Sequence, residues 1–130
     1  MKQSIYSKIL LFFAGIIGIA VGIGQLIFPV AFEASTGIDI AGNSSLLSEI
    51  RGSGGTLLIA GVVMVLGAFK PSLSAYALFI ASLFYLCYGL SRIYGMLVDG
   101  LPHQGLVVVT ICEIVIGIAV LAAYRRLQRQ

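Results

Sequence analysis

Charge is what this sequence has least of. Eight Lys and Arg and five Asp and Glu make up 10% of its 130 residues, against 59% apolar side chains and a mean hydropathy of +1.07. A soluble domain of this length needs a far larger polar share to cover its surface, so the composition excludes one and makes a bilayer the expected solvent. Cysteine is also sparse. Cys87 and Cys112 lie inside apolar runs without the paired spacing of a zinc or redox motif, and read as small apolar fillers. Missing too are a low-complexity tail, an internal repeat, a nucleophile set, a metal-ligand cluster and any signature of heme, quinone or flavin. No catalytic residue, no metal and no cofactor is therefore expected. The fragments GIG and GSGG carry no nucleotide-loop meaning, because no strand precedes them.

What is present is a set of long neutral runs, 9–32, 52–69, 71–91 and 104–124, the last broken only by Glu113. Each is close to the roughly 20 residues that a spanning helix requires. The expected fold is all-α, an integral membrane antiparallel four-helix bundle forming one domain over residues 1–130, with helices near 9–30, 46–69, 72–98 and 104–126. Lys2, Lys8, Lys70, Arg125, Arg126 and Arg129 fall on one side, whereas Arg51, Arg92 and most acids fall on the other. The positive-inside rule then makes both termini cytoplasmic. A net charge of +3 reads as this topology signal plus attraction to lipid headgroups, with no nucleic-acid partner. MKQSIYSK ahead of an apolar run also fits a signal peptide, but the run is too long and no small-x-small cleavage site follows.

Turn residues agree with the charge map. Phe28-Pro29 closes the first crossing, Lys70-Pro71 makes a tight cytoplasmic turn, and Asp99-Gly100-Leu101-Pro102 makes a short outer one. The outer stretch 30–45 has room for a short interfacial helix through AFEAS that stops at Gly37. Asn43 or Ser45 can cap the second crossing, with Glu49 in its first turn. Small residues recur as stripes: Ala14, Gly18 and Gly22 in the first crossing, and Gly54, Gly61 and Ala68 in the second. Such stripes let backbones approach closely in lipid, so Gly18, Gly22, Gly54, Gly55 and Gly61 are the expected packing positions. Four helices enclose little interior, which points to a homo-oligomer.

The charges inside the oil are the candidate site. Arg92 lies seven residues before Asp99 and Glu113 nine residues after Gln104, depths of roughly 10 and 13 Å below the outer surface. Opposite charges at matched depth on adjacent antiparallel helices form a natural pair, since either alone is expensive there. Glu49 and Arg51 are expected to join them, giving four charges that cancel. Tyr85, Tyr88, Arg92 and Asp99 share one side of the third crossing, with Ser91 at its margin; Thr110, Glu113, Gly117 and Tyr124 share one side of the fourth. The expected polar cluster is thus Glu49, Arg51, Tyr88, Arg92, Asp99 and Glu113. Asp99 and His103 stand near its rim, and Gly52, Gly54 and Gly55 thin the second crossing for a close neighbour or a ligand.

On these residues the chain resembles the bacterial small membrane proteins grouped as domain of unknown function 4345. The resemblance runs through Phe28-Pro29, the Glu49-Ile50-Arg51 group followed by Gly54-Gly55, Arg92 ahead of Asp99-Gly100 and Pro102, and the acid Glu113. It implies a four-helix protein of the bacterial inner membrane, and no particular reaction, substrate or cofactor.

Three functional classes follow. In the first, a non-enzymatic protein uses the Glu/Arg cluster to fix helix or subunit register and supports envelope integrity or ion balance. In the second, a small transporter or lipid-binding protein holds an anionic lipid or small anion on Arg51 and Arg92 and couples it to a proton on Glu113. In the third, Glu113, Asp99 and His103 supply acid and base groups to an enzyme. A lone His at a turn is more often a surface residue, which disfavours the third.

Overall fold

The computed structural model describes residues 3–130, so Lys2, counted above among the basic residues, lies outside the described residues. The chain is all-helical: α1 (Ile5–Ile27), α2 (Pro29–Ala34), α3 (Ser44–Phe69), a 3-10 turn (Pro71–Leu73), α4 (Ser74–Asp99) and α5 (Gln104–Gln128). Four of these, α1, α3, α4 with its preceding turn, and α5, are long and apolar enough to cross a membrane.

Capping sets their limits. Ser4 accepts a hydrogen bond from the Ser7 amide at 3.1 Å, so α1 begins at Ile5, before the first uncharged run, and carries Lys8 inside it. It stops at Ile27 because Pro29 has no N–H to continue the ladder; Pro29 instead opens α2, where the missing donor costs nothing. Gly37, at φ +79°, takes the left-handed conformation in the turn after α2. Asn43 caps α3 by accepting from the Leu46 amide at 3.1 Å. Glu49 lies beyond the first turn of α3, so the expected interaction with the helix N-terminus is replaced by plain solvent or headgroup exposure. At the start of α5 the His103 Nδ1 accepts from the Gly105 amide at 3.2 Å.

Consecutive long helices run antiparallel. Gln3 donates through Nε2 to the Gly67 carbonyl at 2.8 Å, and Ser4 and Ser7 share a recess with Arg126 and Gln130, so both chain ends meet the α3–α4 turn at one end of the bundle. The closest packing is α1 on α3. A Cβ at Gly22 would lie 2.5 Å from the Leu58 nitrogen, one at Gly54 2.7 Å from the Leu26 nitrogen, and one at Gly61 2.7 Å from the Gly15 oxygen. Gly18 faces Gly61 in the same seam, where a Cβ would come to 3.3 Å of its Cα. Gly55 departs from its expected role: a Cβ there would meet nothing within 4 Å, as at Gly52, because both are turned away from the α1 seam that Gly54 and Gly61 line.

A thin core of Leu11, Ala60, Met64, Ala77, Leu78, Ala81 and Val120 joins the helices. Large side chains such as Phe13, Ile59, Leu97, Val115 and Ile118 face outward. Only 22% to 39% of each spanning window is buried inside the molecule, so most of the apolar surface is left for lipid. Cys87 and Cys112, read from the sequence as small apolar fillers, are exposed on that outer surface, where a thiol is small and apolar enough to be at home in hydrocarbon.

Candidate functional site

Two glycines bring α4 and α5 together. A Cβ at Gly89 would lie 2.6 Å from Ile114 Cδ1, and one at Gly117 would lie 2.7 Å from Leu86 Cδ2. Arg92 follows Gly89 by one turn and Glu113 precedes Gly117 by one turn, so the close approach places both charges on facing surfaces. The Arg92 Nε donates to Glu113 Oε2 at 3.1 Å. Their side chains are 31% and 14% exposed, so the carboxylate is the more enclosed partner.

The pair continues into the other helices. One turn before Arg92, the Tyr88 ring lies with its centroid 6.0 Å from the guanidinium carbon, at the outer limit of a cation–π contact. The Tyr88 hydroxyl shares a 2.7 Å hydrogen bond with Ser53 Oγ on α3. A further turn back, the Tyr85 hydroxyl donates to the Ala14 carbonyl of α1 at 2.6 Å. Glu113, Arg92, Tyr88 and Ser53 therefore form a polar chain from α5 through α4 to α3, and Tyr85 ties α4 to α1. An unpaired charge at the centre of a spanning helix costs about 3 kcal/mol even on the insertion scale. The pair removes much of that penalty and leaves the site neutral.

The remaining expected members lie elsewhere. Glu49 and Arg51 are two residues apart, about 200° around the helix, so they cannot share one face. Arg51 points towards α1, where its Nη1 donates to the Leu26 carbonyl, one of the acceptors left open at a helix C-terminus. Glu49 is exposed, and among the described residues neither side chain forms a salt bridge. Asp99 is exposed at the end of α4, and Ser91 faces outward. Thr110 is buried, but its hydroxyl donates to the Leu106 carbonyl of its own helix at 2.8 Å instead of to the carboxylate. His103 is occupied as the α5 cap. The ion pair thus holds two charges and not four.

A second polar contact lies between α1 and α2. Gln25 and Glu33 are only 9% and 6% exposed, and the Gln25 Nε2 donates to Glu33 Oε1 at 3.2 Å. Gly54 makes room for it, since a Cβ there would come to 2.8 Å of the Gln25 Cβ. Ser53, Gln25 and Glu33 were not singled out from the sequence. Ser53 stands inside a glycine-rich stretch, and Glu33 lies outside the spans, where a carboxylate is unremarked.

On the far side of α3 an open groove of about 590 Å³ runs between α3 and α4, lined by Arg51, Gly52, Gly55, Thr56, Ile59 and Phe84 among others. Its apolar character is preserved at Thr56, whose hydroxyl donates to the Gly52 carbonyl at 2.9 Å.

Comparison with known families finds one model, Domain of unknown function (DUF4345), matching residues 6–124. Neither the curated proteins nor the solved structures contain a match.

Proposed function

We propose that this chain, which belongs to the DUF4345 family, is a non-catalytic multi-pass protein of the bacterial inner membrane whose Arg92–Glu113 pair fixes the register of the last helical hairpin. The carrying observation is the 3.1 Å contact between α4 and α5, extended by Tyr88 to Ser53 on α3. A matched pair without spare charge suits a lock between helices better than an acid waiting for a substrate. The five acids, Glu33, Asp39, Glu49, Asp99 and Glu113, all belong to the half of the bundle nearer α2, while Lys70, Arg125, Arg126 and Arg129 belong to the end that carries the chain termini. That asymmetry supports an orientation with both termini in the cytoplasm. Within the envelope, such a bundle contributes an ion-tight element that preserves gradients, and a homo-oligomer supplies the neighbours that four thin helices lack.

Glu113→Gln tests this reading, because it removes the charge with little change of shape. The lock predicts less folded protein and a lower unfolding midpoint in lipid, with proton permeability of reconstituted vesicles unchanged. A variant of wild-type stability that had lost a proton flux present in the wild type would replace the lock by a carrier.

A further inference from the structure

We infer that the recess between the start of α1 and the end of α5 binds a phosphate anion, carried by the headgroup of an acidic lipid or free in solution. The recess holds about 220 Å³ and is more enclosed than the groove between α3 and α4. Ser4, Tyr6 and Ser7 line it from α1, and Arg126 and Gln130 from the last turns of the chain. Its polar groups have hydrogen-bond donors to spare. Ser4 Oγ and Ser7 Oγ lie 3.0 Å apart, and Ser4 Oγ also accepts from the Ser7 amide at 3.1 Å. Two hydroxyls joined by one hydrogen bond carry one proton more than that bond uses, so whichever of them donates, one O–H has no acceptor among the described residues. Ser7 is only 4% exposed, which makes this surplus a buried one. The Ile5 and Tyr6 amides, in the first turn of α1, have no intrahelical acceptor and add the positive end of the helix dipole. Arg126 is exposed and forms no salt bridge among the described residues, so its planar fork is available to a pair of ligand oxygens.

The charge around the recess selects a net-anionic ligand. All five acids belong to the other half of the bundle, whereas Lys8, Lys70, Arg125 and Arg129 belong to this one. A zwitterionic headgroup would bring its ammonium in among these cations, and a net-anionic phosphate brings none. Depth agrees with the charge. Ser4 and Ser7 precede the uncharged run that starts at Ile9, and Arg126 follows the one that ends at Tyr124, so the recess stands where the helices leave hydrocarbon and lipid phosphates begin. The site lies in the opposite half of the bundle from the Arg92–Glu113 pair and does not depend on the role of that pair.

Two measurements on the full chain separate the sources. Native mass spectrometry after release from vesicles of equal phosphatidylglycerol and phosphatidylcholine, with identical acyl chains, reads the lipid. The unfolding midpoint in neutral detergent with inorganic phosphate, against chloride at equal ionic strength, reads the free anion. The wild type is expected to retain one phosphatidylglycerol per chain in preference to phosphatidylcholine, or to be stabilised by inorganic phosphate, and the positive arm identifies the source. Arg126→Gln is expected to weaken that binding about tenfold, the scale of a hydrogen bond to a charged group, and Ser7→Ala about fivefold, the scale of a neutral one. Because Arg126 is exposed, its variant is expected to keep the ligand-free midpoint. Arg125→Gln removes the same charge from a residue outside the recess and should change binding by less than about twofold. Failure of both arms in the wild type overturns the inference, as does undiminished binding in Arg126→Gln. So does an equal loss in Arg125→Gln and Arg126→Gln, because diffuse attraction to the basic end would then account for the ligand.

Discussion

Arg92 and Glu113 each sit where a charge is costly, and the hydroxyl chain behind them decides how firmly their helices are held. Tyr88→Phe and Ser53→Ala each remove one end of the 2.7 Å bond between α4 and α3. Each is expected to cost about 1 kcal/mol in denaturant unfolding, and the double variant little more than the larger single, because both delete one interaction. Gln25→Leu is a harsher change. It leaves the 6% exposed Glu33 without its Gln25 donor, at an expected cost of roughly 1–3 kcal/mol, and Gln25→Glu, which sets two carboxylates together, should be worse by the same measurement. These residues differ in how well the sequence announces them. A charge inside twenty apolar residues is conspicuous, and turn residues at Asp99-Gly100 and His103-Gln104 give its depth. Gln25 is neutral and near a helix end, so its pairing depends on how α2 folds back, which no spacing encodes. Arg51 and Glu49 are conspicuous as well, but their separation of two residues sends them to different faces, so proximity in sequence overstated their proximity in space.

Between helices, contact is set by glycine. The seam of α1 and α3 leaves no room for a methyl at Gly22 or Gly61, where it would meet backbone at 2.5 and 2.7 Å. Gly22→Ala and Gly61→Ala are expected to destabilise by about 1–3 kcal/mol through overpacking, read as a lower thermal midpoint in detergent or lipid. Gly95→Ala, where a Cβ meets nothing within 4 Å, should be neutral or stabilising by up to about 1 kcal/mol through helix propensity. The four-residue recurrence of Gly18 and Gly22 made the α1 side of the seam legible. Gly15 escaped because Ala14 satisfied the same spacing one position earlier, and Gly55 was misassigned because adjacent glycines lie 100° apart on a helix. Gly89 and Gly117, which bring α4 and α5 together, carry no stripe of their own.

For the whole molecule, the proposed orientation is open to direct test. The proposed orientation, with both termini cytoplasmic, predicts that a reporter active only outside the inner membrane is silent when fused after Gln130 and active when inserted in the loop around Gly42; the opposite pattern would invert the topology. The four long apolar helices were legible because charges and the turn residues Pro29, Pro71, Gly100 and Pro102 delimit them, whereas the partners covering the large outward apolar surface are not encoded in hydropathy, since lipid and another helix are equally apolar. Charge exchange tests the proposed lock between α4 and α5 without intermediaries: Arg92→Glu, Glu113→Arg and the two together, measured as folded yield and unfolding midpoint in lipid nanodiscs. Each single reversal should set like charges face to face and deplete folded protein, and the exchanged pair should recover most of the wild-type midpoint. Single reversals as stable as the wild type, or an exchanged pair no better than either alone, would contradict it.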